Sequence, residues 1–476
     1  KRIIEEIEMA GNVILFIPNT HDLFKSVEGN ERSMNAIDVL LPLIKNSSIP
    51  IIGETYPKEF KRYIENRTDF MEEFNPIKME EITNGEAVRI LTYQSLIFEN
   101  QFKVFITLRA IKKCVFLAKR YLHQKPIPSG AIDLLKQSLS KIKNSGGKTL
   151  DEDTVMMVAQ ELSNIPIQKA EGEELDKLLN LEELIHKRLI NQVTAVKAVS
   201  QALREYRSGL SNQDGPMAVF LFIGPTGVGK TELSKILTKI QFGDKNAMIR
   251  FDMSEYQTKE SISRFIGSPN GETSGSLTDA VLEKPYSTIL LDEFEKAHPD
   301  ILNLFLQVFD DGRLTDSVGK TVNFENTLII ATSNAHSTFI KESIEQGKEI
   351  KDISEIIKKK LTDYFKPELI NRFSDIVVFR SLNIKEIEKI AEILIKEVVG
   401  QLKDTHGIEL VIDESAIKQV AKLGYSPAFG ARPLKKVISE KIKSRLANKI
   451  LKREVDRGNV ITISYDNESF NFKVIE

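Results

Sequence analysis

The chain has 476 residues, too many for one hydrophobic core, so two or more domains are expected. Its 66 basic and 68 acidic side chains leave a formal net charge of −2, which gives no reason to expect nucleic acid as a partner. No apolar run approaches the ~18–20 residues of a membrane span, and the single cysteine, Cys114, excludes a disulfide framework. A hydrophobic fraction of 41% and a charged fraction of 28% are ordinary for a soluble globular protein. With one cysteine in the apolar run CVFLA, read as a buried small side chain, a reducing cytoplasmic setting is expected.

The first residues, KRIIEEIEMAGN, read as an amphipathic helix without a signal-peptide pattern. A start inside a helix, without methionine, implies residues missing upstream. NVILFI (12–17) and PIIGE (50–54) are candidate strands, and residues 86–142 read as helices. The polar stretch YRSGLSNQDGPM is the clearest punctuation of the chain. The apolar strand AVFLFI (218–223) follows it and runs into a glycine-rich turn. STILLD (287–292) and TLIIATS (327–333) are further strands, with helix-patterned segments between them. That alternation predicts a doubly wound parallel sheet of the α/β class. The charges of KEIKDISEIIKKK (348–360) alternate at helical spacing and read as a solvated helix face. From about residue 379 the pattern turns helical and closes with VITISYD and FNFKVIE, a terminal strand pair in a smaller domain.

Residues 224–231 read GPTGVGKT, a full match to G-x-x-x-x-G-K-[ST] between a strand and the helix pattern TELSKILTKI. Gly224, Gly227 and Gly229 let the backbone curl past Pro225 so that N–H groups along Thr226 and Val228 point at phosphate oxygens. The helix that opens with Lys230, Thr231 and Glu232 adds its positive N-terminus. Lys230 would neutralise the β- and γ-phosphates of ATP, and Thr231 would offer a hydroxyl to Mg2+. Some sixty residues on, STILLD ends in the acidic pair Asp292-Glu293. Asp292 is assigned to Mg2+, directly or through water, and Glu293 to the attacking water. Asn334 follows the strand TLIIATS at the sheet's carboxyl edge, where ligands bind in open α/β folds. It would contact the γ-phosphate or the lytic water; a turn-capping role is the alternative.

With these residues in place, longer segments become informative. RFDMSEY (250–256), LLDEFEKAHPDILNLFLQVFDDGRLTDSVGK (290–320), FKPELINRF (365–373) and YSPAFGARPL (425–434) resemble the second ATPase module of the Clp family of ring-forming AAA+ proteins. The resemblance implies AAA+ doubly wound parallel sheets with helical small (lid) domains, in two tandem modules. Arg372 would be the finger reaching a neighbouring subunit's site, and Arg432 would sense nucleotide from the lid. KRLINQ (187–192) resembles the stretch whose backbone contacts adenine, which nominates Leu189 and Ile190, although Asn191 stands where the family usually has glycine.

The opening segment resembles the later part of the family's first module, with its chemistry erased. Pro18-Asn19 replaces the acidic pair, and Glu72-Glu73 replaces paired arginines. The expected division is a partial first AAA+ large domain (1–84), its helical small domain with linker (85–172), an intact ATPase domain (173–378) and a lid (379–476). The short connection leaves no room for the long coiled-coil insertion of some members.

Two departures bear on function. The turn GSPNGETSGSLTD (267–279) lacks the aromatic residue with which family members grip polypeptide in the ring's pore. The stretch HSTFIKESIEQGKEIKDISEI lacks the tripeptide with which some members dock a barrel-shaped peptidase; docking of that peptidase is not expected. The leading expectation is a homo-hexameric ATPase that remodels protein substrates, with or without adaptors, and has no nucleic-acid or membrane partner. The alternative is a regulatory or scaffold subunit whose ATP binding controls assembly.

Overall fold

A computed structural model describes every residue except 1–5, 8, 26–34, 46–48, 123–124, 164–172, 211–214, 270–272, 318, 427–428 and 476. By its internal contacts the chain divides into two units. One comprises Lys1–Gln168, Thr258–Pro285 and Arg313–Phe324; the other comprises Lys169–Gln257, Tyr286–Gly312 and Glu325–Glu476. Each is described by itself.

In the first unit, half of the residues read as an opening helix lie outside the described ones. The strand read at 12–17 is confined to Leu15–Ile17, paired in parallel with Ile51–Gly53. Pro50 ends the pairing on the partner side, offering its carbonyl to the Leu15 N–H at 3.0 Å but no donor of its own. Among the described residues the pairing therefore begins at Leu15. The helical reading of 86–142 resolves into Asn84–Phe102, Leu108–Tyr121 and Ser129–Asn144. The first opens on a capping box, Thr83 with Glu86. These helices bury a common core that includes Leu91, Leu117, Leu134 and Cys114. Burial lifts the Cys114 thiol far above its ordinary value, so it is packing and not a reactive thiolate.

The second unit is built on a parallel sheet. Its strands are β1 (Ala218–Ile223), β2 (Met248–Asp252), β3 (Ser287–Asp292), β4 (Thr327–Ser333) and β5 (Asp375–Val378). Among the described residues they lie in the order β5-β1-β4-β3-β2, every neighbouring pair parallel. All six residues of β1 and all seven of β4 are buried. Successive side chains point to opposite faces, so both faces of the sheet are covered. Strands β1, β3 and β4 match the apolar runs read from the sequence. Strands β2 (MIRFD) and β5 (DIVV) are additions; both are short and lie at the edges of the sheet.

Helix α1 (Val193–Arg207) precedes β1, and α2 (Lys230–Phe242) follows the glycine-rich turn. Helix α3 (Pro299–Asp311) follows β3, and α4 (Ile350–Lys360) carries the alternating charges. The lid begins at α5 (Ile384–His406), whose start is fixed by a capping box of Asn383 and Glu386. Its core gathers Ile387, Ile395, Val420, Leu434 and Ile461. The expected terminal pair is present as β7 (Val460–Asp466) and β8 (Ser469–Ile475), antiparallel. A further strand, β6 (Glu409–Ile412), joins β7 in parallel.

Candidate nucleotide-binding site

The site is assembled at the carboxyl ends of three neighbouring strands, β1, β4 and β3, where an open parallel sheet presents its loops. At the end of β1, Gly227 and Gly229 adopt φ +76° and +108°. A Cβ at Gly227 would lie 2.1 Å from the Phe429 carbonyl oxygen, and one at Gly229 would lie 2.8 Å from Leu189 Cδ1. Only glycine fits this curl, which leaves the N–H groups of Thr226 to Thr231 at the start of α2, ready for an anion. Val228 is buried, while Pro225, Thr226, Thr231 and Glu232 are half-buried around the turn. Leu189 is buried against the turn and Ile190 half-buried beside it.

Lys230 is 9% exposed. Its ammonium donates to the carbonyls of Gly224 at 2.5 Å and Ser333 at 2.9 Å, and to Asn334 Oδ1 at 2.6 Å. Burial pulls its pKa down to about 8; Glu295 and Asp292 oppose that shift, Arg432 adds to it and Glu293 opposes it. The charge is thus held in a site where an anion would be welcome.

At the end of β3, Asp292 accepts from the Thr332 hydroxyl, and its other oxygen takes Arg250 Nη2 at 2.6 Å. Glu293 adopts a left-handed conformation, φ +57°, which turns its side chain out of the strand direction. Its carboxylate pairs with Lys296 at 2.7 Å. Phe294, fully buried, anchors that turn in an aromatic cluster with Phe305, Phe365 and Phe373 at centroid distances of 5.4, 5.5 and 6.3 Å. Glu295 then reaches across to the end of β4, where its Oε1 accepts the Asn334 N–H at 3.0 Å. Its Oε2 is buried without a hydrogen-bond partner.

The two arginines are placed differently. Arg432 is exposed on the lid loop that meets the glycine-rich turn, where the Ala431 N–H donates to the Gly227 carbonyl at 3.2 Å. Arg372 is not brought to the Lys230 cluster: its Nε lies 2.6 Å from Asp310 Oδ1 on α3, with its side chain 46% exposed.

The sequence reading gave no role to Gln192, Arg250, Glu295 or Thr332. Glu295 and Arg250 stand inside quoted motifs, but nothing local shows which strand end each will face. Gln192 carried no signal beyond its place beside Asn191.

The donors fit a magnesium nucleotide. A left-handed glycine turn feeds a helix of 13 residues, and one hydroxyl and one carboxylate, Thr231 and Asp292, border it. No group of three or more His, Cys, Asp or Glu side chains able to hold a metal occurs among the described residues. That donor set suits a cation taking most of its ligands from phosphate and water, as Mg2+ does.

Family models match three stretches. Residues 215–376 match an AAA domain (Cdc48 subfamily), 382–463 the C-terminal, D2-small domain of ClpB protein, and 83–188 an AAA lid domain. ClpC, the ATP-binding subunit of the ATP-dependent Clp protease of Staphylococcus epidermidis, is 33% identical over 100% of this chain and 67% of its own length. The chain belongs to the Clp family of AAA+ ATPases. The chaperone protein ClpB of Aquifex aeolicus is 34% identical over 99% of the chain, which spans 59% of that relative's length. An Hsp104:casein complex from S. cerevisiae superposes with a TM-score of 0.77 at 34% identity, covering 99% of this chain and 82% of the other.

The first unit of this Clp-family chain repeats the β3 turn without its acids. After Leu15–Ile17 come Pro18 and Asn19, and Asn19 has φ +51° against +57° at Glu293. The backbone device is present, and the carboxylates are not. Glu72 and Glu73 lie 3.9 and 3.7 Å from Lys45. The turn after Ile266 closes on itself, with Ser268 N–H donating to the Thr273 carbonyl at 2.8 Å and Thr273 N–H to Ser268 Oγ at 2.9 Å. Residues 270–272 of that turn lie outside the described ones. Gly347, at φ +78°, ends the helix Ser337–Glu345, its N–H donating to the Ile344 carbonyl at 2.9 Å. It is accounted for as a helix stop.

Proposed function

We propose that this chain is an ATP-driven protein-remodelling subunit of the Clp type, which hydrolyses the β–γ phosphoanhydride at its second module within a hexameric ring. The observation that carries the reading is the convergence of Lys230, Asn334, Asp292 and Glu293 at three adjacent strand ends. In this reading the N–H groups of residues 226–231 and the Lys230 ammonium bind the phosphates, and Leu189 and Ile190 border the adenine. Thr231 and Asp292 hold Mg2+, which supplies charge neutralisation at the phosphates. Glu293 orients the attacking water and takes its proton. Asn334, held by Glu295, faces the γ-phosphate. Arg432 reaches the same nucleotide from the lid, and Arg372, free of Asp310, stabilises transition-state charge in a neighbour's site. The first module packs in the ring without hydrolysing.

A regulatory or scaffold role is the second reading, favoured by the self-closed turn at Ser268–Thr273 without an aromatic side chain. Steady-state turnover against protein concentration, with and without an unstructured protein and with Glu293→Gln as background, separates the two. A per-subunit rate that climbs with both supports the remodelling motor. A rate indifferent to polypeptide supports the regulatory subunit, and a rate at background removes the ATPase reading.

A further inference from the structure

Asn191 and Gln192 hold consecutive left-handed conformations, φ +61° and +59°. Gln192 is 2% exposed, and its amide is spent on two separate segments. Nε2 donates to the Val228 carbonyl in the glycine-rich turn at 3.2 Å and to the Arg380 carbonyl at 2.9 Å, while Oε1 accepts the Arg380 N–H at 3.1 Å. Arg380 lies in the short link between β5 and lid helix α5. Asn191 continues the arrangement. Its Oδ1 accepts the Gln192 N–H at 2.9 Å, and its Nδ2 donates to Glu386 Oε1. Glu386, in the first turn of α5, is 8% exposed; it also takes the Arg380 guanidinium and the Asn383 N–H.

We propose that Asn191, with Gln192 and Glu386, forms a clasp between the nucleotide site and the lid, and that Asn191 is a positioning residue for nucleotide retention. The clasp joins three segments: the loop carrying Leu189 and Ile190, the glycine-rich turn, and the link on which the lid pivots. Rotation of α5 away from the sheet must break the bond from Asn191 to Glu386, which joins residues 195 positions apart. Asparagine suits the position because it tolerates the left-handed region better than most side chains. Glycine would adopt the same backbone and contribute nothing to Glu386. A hydrogen bond to a buried carboxylate is among the stronger ones, so the lid contact at Ala431 and Gly227 is held closed by it. Loss of the clasp lets the lid open and the nucleotide leave.

The inference rests on the reading of residues 224–231 as a nucleotide site, and the test separates the two. The full chain is titrated with fluorescent ADP, and ATP turnover is measured in parallel. Asn191→Gly, which keeps the backbone unstrained, is expected to weaken ADP binding by about ten-fold and to raise KM with it, while turnover at saturating ATP is largely kept. Asn191→Asp, which sets a second carboxylate against Glu386, weakens binding further, and adding Glu386→Gln restores much of the loss by removing the like charge. Unchanged ADP affinity in Asn191→Gly overturns the proposal. So does a loss of folding stability and of saturating turnover in proportion to affinity, which would make the residue structural only. Absence of ADP binding by the unaltered chain overturns the nucleotide-site reading itself.

Discussion

The Lys230 ammonium lies 2.6 Å from Oδ1 of Asn334, a direct bond between the helix that follows β1 and the end of β4. With Gly224 and Ser333 accepting as well, the three ammonium hydrogens all have acceptors within the protein. If the proposed γ-phosphate binds there, it displaces at least one of these acceptors, and Asn334 is the only side chain among the three. Asn334→Ala is expected to lower the turnover number by about 10–100-fold with a smaller change in nucleotide affinity. Affinity lost in step with turnover would assign Asn334 to binding alone.

Lys230 and Glu293 separate binding from chemistry. Lys230→Ala removes the buried positive charge and is expected to abolish binding of fluorescent ATP. Glu293→Gln keeps shape and neutral hydrogen bonding, so binding survives while hydrolysis falls by about 100-fold or more. Hydrolysis by Glu293→Gln near the unaltered rate would move the water-activating role elsewhere.

Arg372 is paired with Asp310 in its own chain and half-exposed, away from the Lys230 cluster. If it serves a neighbour, Arg372→Ala and Lys230→Ala chains are each inactive alone. Mixed together they regain part of the activity, since a Lys230→Ala subunit can lend its arginine. A mixture as inactive as its components rules out action in trans.

Glu295 fixes the end of β4 through the Asn334 N–H. Glu295→Gln keeps an acceptor oxygen there and should cost little. Glu295→Ala leaves the N–H without that acceptor and should lower turnover by about ten-fold, the effect of losing one charged hydrogen bond. Equal behaviour of the two variants would show that the charge, not the bond to Asn334, is what counts.

Lys230 also makes stability depend on pH. Its value of about 8 in the folded chain lies below the ordinary 10.5, so between those values the unfolded chain binds more protons and stability rises with pH. Relative to Lys230→Met, the nucleotide-free chain should gain about 2 kcal/mol between pH ~7.5 and ~9.5, by the 1.36 kcal/mol worth of each pKa unit. Denaturant unfolding of both chains at the two pH values measures it. A difference that stays flat would place the ammonium in a wetter setting than its burial shows.

Residue order alone made legible whatever lies close along the chain. The strands at 218–223, 287–292 and 327–333 were legible because each is an unbroken apolar run between turn signals, as a strand covered on both faces must be. The glycine turn, Lys230 and the Asp292-Glu293 pair were legible because phosphate chemistry constrains residues that are neighbours in sequence. The strand order, the edge strands Met248–Asp252 and Asp375–Val378, and the contacts of Glu295, Gln192 and Asn191 came from the packed fold. Gln192 and Arg380 stand 188 positions apart, and Asn191 and Glu386 stand 195 apart. Local periodicity describes how a segment meets solvent and core. It holds no record of which distant segment the core places beside it, and the bonds of Glu295, Gln192 and Asn191 exist only once the sheet and lid have packed.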